Sequence, residues 1–244
     1  MRYISLVRRL FHKFGFDISR FEENQLGRNP FADMERFVAD SDSTTIFDVG
    51  ANVGQSVERF RLHFPLSQIH SFEPSPGAYR ELQALAASRS GVTAWNVALG
   101  AAPGKAMLNE NEYSVMNSML ELGEQGWGCV EKQTEVSLQS IDAFCREQNV
   151  DRIDILKSDT QGCDLDVFRG AEQMMRKHRI GLIMCEVNFA ELYRGAAPFD
   201  AIFRFLLDRD FALVAFYAIH FSRNTAGWTD ALFVNKVVHQ QAIS

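Results

Sequence analysis

This sequence predicts an α/β fold: a doubly wound, mostly parallel sheet with an antiparallel last strand. Three observations predict it. Short apolar runs alternate with stretches whose apolar residues recur at helical spacing, the pattern of βαβ units. The first run, Ile46-Phe47-Asp48-Val49, leads directly into a glycine-bearing turn, Gly50-Ala51-Asn52-Val53-Gly54, and an amphipathic segment. The last two runs have only a loop between them, which makes them a hairpin and the final strand antiparallel.

Asn29-Pro30 breaks the N-terminal section, and Asp33 to Ala39 reads as a short helix. Residues 1–44 are read as a helical extension and 45–244 as one ligand-binding domain. Thr45 to Val49 is strand one, followed by a helix from Val53 to His63 that Pro65 stops. Gln68 to Phe72 is strand two. Pro76 then opens a helix, where its missing N–H is harmless, with Tyr79, Leu82, Leu85 and Ala86 at helical spacing. Val92 to Leu99 is strand three. Lys105 to Asn109 and Thr134 to Leu138 are two further strands flanking a long polar insert. Ile141 to Gln148 is helical and Ile153 to Lys157 is strand four. Leu165, Phe168, Ala171, Met174 and Met175 form the inner face of the next helix. Gly181 to Val187, strand five, is a continuous apolar run, as in a sheet covered on both faces. Phe199 to Leu207 is helical, and Phe211 to Tyr217 and Asp230 to Asn235 close the chain as strands.

With 244 residues, 46% of them hydrophobic, the chain can bury one sizeable core. A net charge of −6 argues against nucleic acid as a general partner. Cys129, Cys145, Cys163 and Cys185 form no C-x-x-C pair and read as reduced residues of a cytoplasmic protein. No uncharged apolar run reaches the length of a membrane span, and no apolar signal segment is visible. Within Met1 to Arg20, Arg2, Arg8, Arg9, His12, Lys13 and Arg20 interleave with Ile4, Leu6, Val7, Leu10, Phe11, Phe14 and Phe16. A helix there is amphipathic, suited to packing on the domain or on a partner in a homo-oligomer. A membrane-surface or anionic-substrate contact is the alternative.

Gly50 and Gly54 are expected to let backbone approach a ligand where a Cβ would collide. Glu73, about twenty residues on at the end of strand two, stands where a carboxylate accepts hydrogen bonds from both ribose hydroxyls. A pyrophosphate calls for G-x-G-x-x-G and a helix N-terminus free of nearby anions. Here the spacing is G-x-x-x-G and Asp48 points at the turn, where an acid suits the ammonium of a methionine moiety. The cofactor read from these residues is S-adenosylmethionine. Asp48, Gly50, Asn52, Gly54 and Glu73 hold it, with Asn96 and Ala98 of strand three beside the adenine. A plain glycine turn is the alternative.

In open α/β sheets the ligand lies beyond the carboxyl ends of the strands. Strand four offers Ser158, Asp159, Thr160 and Gln161 there, and strand five offers Glu186 and Asn188. An aliphatic hydroxyl is a poor nucleophile at neutral pH, so a base must take its proton or a metal must lower its pKa. Asp159 and Glu186 are the candidate catalytic carboxylates. With Asn188 they also suit an oxygen-liganded Mg²⁺, while helix capping or pairing with Lys157 is the structural alternative. His220 is a second candidate base, or a structural histidine beside aromatics. The insert from Asn109 to Gly128 is long enough to close over a ligand. Its Asn111, Tyr113, Ser114, Asn117, Ser118 and Trp127 mix polar and aromatic groups in a way that suits a polyhydroxylated substrate. Asn117, Ser118, Gln161 and Asn188 are the expected substrate contacts.

Four segments, in order and spacing, resemble the motifs of the FkbM-type S-adenosylmethionine-dependent methyltransferases. They are Phe47-Asp48-Val49-Gly50-Ala51-Asn52-Val53-Gly54, Phe72-Glu73-Pro74, Asn96-Val97-Ala98-Leu99-Gly100 and Leu156-Lys157-Ser158-Asp159-Thr160-Gln161-Gly162. The resemblance runs from about Asn29 to Val234, and the basic start ending in Gly15-Phe16-Asp17-Ile18 is similar to the family's N-terminal extension. It implies the class I methyltransferase (Rossmann-like) fold with a seven-stranded sheet, and O-methylation of sugars or secondary metabolites. It supports Asp48, Gly50 and Glu73 as donor contacts and marks Asp159 and Glu186 as motif positions. Two departures stand out: Ser158 replaces a usually apolar residue, and Asp164 stands where Glu is usual. Rival readings are a non-catalytic partner subunit of the same fold and a nicotinamide-dependent oxidoreductase. Retention of Asp48, Gly50, Gly54, Glu73 and Asp159 counts against the first, and the glycine spacing against the second.

Overall fold

The computed structural model describes residue 7 and residues 9–16, 25–38 and 43–243. Helix α1 (Pro30–Glu35) begins at Asn29, whose side-chain oxygen accepts from the N–H groups of Phe31 and Ala32 at 3.0 and 3.4 Å. This cap, with Pro30 in the first turn, starts the helix earlier than its apolar spacing suggests. Then follow β1 (Thr45–Val49), α2 (Gln55–His63), β2 (Gln68–Phe72), α3 (Pro76–Ala87), β3 (Val92–Trp95) and β4 (Ala98–Leu99). Next come β5 (Gly104–Asn111), a 3₁₀ turn (Ser114–Met116), β6 (Val130–Gln139), α4 (Ile141–Gln148) and β7 (Ile153–Ser158). The remaining elements are α5 (Asp164–Arg169), α6 (Glu172–Arg176), β8 (Ile180–Asn188), α7 (Phe199–Leu207), β9 (Phe211–Phe216), β10 (His220–Ser222), β11 (Thr225–Asn235) and α8 (Lys236–Ile243).

The main sheet has seven strand positions in the order β3-β2-β1-β7-β8-β11, then an outer position that β9 and β10 share end to end. Strands β3, β2, β1, β7 and β8 are parallel, whereas β11 runs antiparallel to β8 and β9. This is the doubly wound sheet with an antiparallel last strand that the sequence predicts. Alternate strand residues feed two cores, as the two-residue period requires. Phe47, Phe72, Phe144, Leu156, Phe168 and Phe233 pack on one face; Phe31, Met34, Ile46, Phe60, Ile69 and Leu182 pack on the other.

Two expected elements are divided, each for a local reason. Strand three breaks at Asn96, whose amide donates to the carbonyls of Glu73 and Pro74 at 2.8 and 3.0 Å and turns the chain into a second sheet, β4-β6-β5. The helix after β7 splits into α5 and α6 at Gly170. A Cβ there would run into the Gly100 carbonyl, and the Gly170 carbonyl accepts from Asp142 N–H at 2.8 Å instead. The β5–β6 hairpin carries the 112–129 insert.

In the N-terminal segment residues 9–12 are helical. Val7, Leu10, Phe11, Phe14 and Phe16 are exposed rather than packed on the domain, while Ile4 and Leu6 lie outside the described residues. Among the described residues no helix is long and apolar enough to cross a membrane.

Candidate active site

At the carboxyl ends of β1, β2 and β7 the sheet opens into a cavity of about 260 Å³. Its floor is the turn after β1. Gly50 and Ala51 both donate to the Phe72 carbonyl at 3.0 Å, fastening this turn to the end of β2. Gly50 has φ +73° and lines the cavity, but a Cβ on it would strike the carbonyl of Asp159. Gly54, at φ +98°, abuts the Leu85 side chain. Both glycines are packed closely within the protein, and Gly50 is the one of the two that also lines the cavity.

Glu73 projects from the end of β2 with each carboxylate oxygen held by a main-chain donor. Asn52 N–H gives to Oε2 at 2.9 Å and Ser75 N–H to Oε1 at 2.8 Å. Burial pushes its pKa up to about 7, against the pull of the two N–H groups. Each oxygen keeps lone-pair capacity, and Glu73 lines the cavity together with Asn52 and the apolar wall of Val97, Ala98 and Leu99. A carboxylate rim beside a small apolar slot fits the adenosine half of S-adenosylmethionine. Asn96 braces the main chain behind Glu73 instead of lining the slot.

Strand register aligns Asp48, Lys157 and Met184 across β1, β7 and β8. Asp48 is fully buried, and Lys157 Nζ lies 3.1 Å from its Oδ1 and 3.7 Å from Asp159 Oδ2. Neither Asp48 oxygen accepts a well-aligned hydrogen bond, so charge holds the pair. Burial raises the Asp48 pKa, which Lys157 opposes. Burial also works against the Lys157 ammonium, but Asp48 and Asp159 outweigh it and hold its pKa above the ordinary lysine value. Lys157, not Asp48, lines the cavity, and motif reading had assigned it no place in the site.

Asp159 follows β7, with Gln161 Nε2 donating to its Oδ1 at 2.6 Å. Gln161 lies in the left-handed region (φ +52°) and accepts from the Tyr193 hydroxyl at 2.6 Å through Oε1. Ser118 from the insert donates to the Gln161 carbonyl at 2.7 Å, and Asn117 accepts from Asn111 N–H at 2.8 Å. Asp159, Gln161, Asn117 and Ser118 all line the cavity. Beneath them Ser158 Oγ donates to Asp164 Oδ1 at 2.6 Å, joining the two residues singled out as departures. Burial lifts the Asp164 pKa to about 6, against the Ser158 bond.

Glu186 and Asn188 lie two and four residues beyond Met184 on β8, outside the cavity wall, and Asn188 Nδ2 approaches Glu186 Oε1 at 3.4 Å. Burial, then Asp159, Asp164 and Asp230, hold the Glu186 pKa well above its ordinary value. Its partner across the sheet, Asp230, does line the cavity, with a pKa raised to about 6 chiefly by burial. A search of strand carboxyl ends misses Asp230 because β11 is antiparallel and brings its amino-terminal half to this rim.

The expected Mg²⁺ ligands do not suit the ion. Asp159 already faces the Gln161 amide and the Lys157 ammonium, and Glu186 faces the Asn188 amide. Among the described residues no group of three or more His, Cys, Asp or Glu is arranged to hold a metal. His220 is exposed on β10 with its ring stacked on Trp228, centroids 4.8 Å apart at 9°, away from the cavity wall.

The chain is 28% identical over 181 residues to the 2-O-methyltransferase NoeI of Sinorhizobium fredii, covering 70% of this chain and 73% of that protein. It is 27% identical over 188 residues to the methyltransferase sdnD of Sordaria araneosa, covering 65% of this chain and 72% of that protein. Among solved structures, Aeropyrum pernix fibrillarin with bound S-adenosyl-L-methionine superposes with a TM-score of 0.48 at 12% identity, over 80% of this chain and 68% of that one. The methyltransferase FkbM domain model matches residues 48–213, so the chain belongs to the FkbM methyltransferase family and is an S-adenosylmethionine-dependent methyltransferase.

Proposed function

We propose that the protein methylates a hydroxyl oxygen of a glycan or another hydroxylated small molecule, with Asp159 at the acceptor end of the cavity. The observation that carries this reading is the separation of two carboxylates along one cavity wall: Glu73 on backbone donors, and Asp159 beside Lys157 and the insert. S-adenosylmethionine supplies an electrophilic methyl on a sulfonium, and the acceptor oxygen takes it as the carbon–sulfur bond breaks. Glu73 accepts from the ribose hydroxyls, with Asn52 and Ser75 fixing its oxygens. Asp159 accepts the proton of the acceptor hydroxyl or orients that hydroxyl, with the Lys157 ammonium 3.7 Å from its Oδ2. The walls contribute mainly by alignment. The 2-O-methyltransferase relative supports oxygen as the methylated atom, and the polar insert favours a polyhydroxylated acceptor. All four cysteines are free, which suits the cytoplasm where we place the reaction.

Titration calorimetry with S-adenosylhomocysteine, without and with Glu73→Ala, tests the donor half. Saturable binding that the variant abolishes is expected; no binding by the parent chain would sink the reading. Transfer of labelled methyl to a panel of free sugars, oligosaccharides and non-sugar alcohols tests the acceptor half. Asp159→Asn is expected to bind donor normally and to lose turnover.

A further inference from the structure

Tyr193 lies in the segment after β8, with its ring 1% exposed among Met116 and Leu192. Its phenol has one proton, which goes to the near partner, Gln161 Oε1, at 2.6 Å. The acceptor-only Asp159 carboxylate requires Nε2 of Gln161 at its Oδ1, 2.6 Å away, and so turns Oε1 towards Tyr193. The Tyr193 hydroxyl, donating to that Oε1, anchors the far end of the amide and holds Nε2 on Asp159. The flipped amide would set two oxygens against each other at the Asp159 end. Burial raises the Tyr193 pKa, so the phenol stays a donor across the working pH range.

Both ends of this relay are tied to the 112–129 insert. Tyr193 forms an antiparallel bridge with Leu122, Gly123 N–H donates to Leu192 O at 2.8 Å, and Arg194 N–H donates to Glu121 O at 2.9 Å. Ser118 holds the Gln161 carbonyl, and Gln161 keeps a left-handed backbone that favours glycine. A non-glycine residue persists in that region only where its surroundings over-determine it.

We propose that Tyr193 is a positioning residue: acting through the Gln161 amide, its hydroxyl sets the orientation of the Asp159 carboxylate and makes that orientation depend on how the insert is seated. This rests on the reading of Asp159 as the acceptor-facing carboxylate. The insert thereby has a second task besides contacting an acceptor. When it is seated, one Asp159 oxygen is directed by the amide and the other faces Lys157.

Carbon-13 NMR of protein labelled at aspartate carboxyls and saturated with S-adenosylhomocysteine tests the relay. The Asp159 signal is assigned by its absence in Asp159→Asn. Tyr193→Phe removes one oxygen and keeps the buried ring. Gln161→Gly removes the amide at a backbone angle glycine accepts, and it serves if the first variant folds poorly. Both are expected to move the Asp159 signal, with S-adenosylhomocysteine affinity unchanged within threefold. With the best acceptor from the panel of free sugars, oligosaccharides and alcohols, kcat of Tyr193→Phe should fall ten- to a hundredfold while KM changes less than threefold. Tyr193→Phe added to Asp159→Asn should cost less than a further twofold. An Asp159 signal that stays in place in either folded variant overturns the relay. Additive losses in the double variant overturn it as well. Wild-type turnover by Asp159→Asn marks a different failure: the signal can still move, but the reading of Asp159 falls and the positioning role goes with it.

Discussion

The hydroxyl of Ser158 donates to Asp164 Oδ1 at 2.6 Å, and both residues are almost fully buried. The same oxygen also receives Thr160 N–H at 3.3 Å, so the serine supplies the shorter of its two bonds. Ser158→Ala removes only the hydroxyl and deletes that bond. We expect it to cost about 1–3 kcal/mol, the penalty for leaving a buried polar group underpaired. Urea denaturation of the parent and variant measures it, and an unchanged midpoint would show that Thr160 alone suffices.

Lys157 and Asp48 should behave as a buried pair. Lys157→Met strands Asp48 without a counter-charge and is expected to destabilise by about 3–5 kcal/mol. Combining it with Asp48→Asn should recover part of that loss. If the double variant is no more stable than Lys157→Met, repacking rather than charge dominates there.

Gly50→Ala addresses the contact between the turn and Asp159. A left-handed alanine costs about 1–2 kcal/mol, and its Cβ must also displace the Asp159 carbonyl. Lower thermal stability and weaker S-adenosylhomocysteine binding are expected together. A variant as stable as the parent would falsify the claim that these two loops meet so closely.

Donor binding should depend on pH through Glu73. Its pKa in the folded chain, about 7, lies above the ordinary 4.5, so its protonated form stabilises the unliganded fold. That contribution is complete below about pH 4.5 and is lost as pH rises to about 7. Ribose hydroxyls donate to the charged form, so binding should release a proton. Affinity for S-adenosylhomocysteine should rise roughly tenfold between pH 6 and 7.5. Calorimetry in two buffers of different ionisation enthalpy measures the proton count; proton uptake on binding would contradict the assignment.

Glu73 and Asn52 were legible in the sequence because a strand, a turn and the next strand end place them by local rules. The sheet was legible too, since its strands are short apolar runs with clear stops. Lys157 was not: it sits inside an apolar strand, and the acid that justifies it lies far away in the chain. Asp230 escaped because it reaches the rim from the amino-terminal half of an antiparallel strand. Tyr193 escaped because its role depends on one hydroxyl meeting a side chain 32 residues earlier, which no periodicity encodes. The break at Asn96 had the same cause: an amide reaching sideways to the carbonyls of Glu73 and Pro74.

The β5–β6 hairpin belongs to a sheet of its own, and its insert meets the main domain at a few points, among them Ser118 on Gln161 and Leu122 on Tyr193. A graft of this hairpin from another family member would therefore exchange the acceptor-facing surface as one cassette, leaving the turn after β1 and Glu73 intact. Such a chimera should inherit the host's donor and the guest's choice of acceptor, provided the guest brings its own match for Tyr193. Diversification of acceptors within this architecture would then proceed by swapping one hairpin and one anchoring hydroxyl, with the half that reads the nucleoside left unaltered.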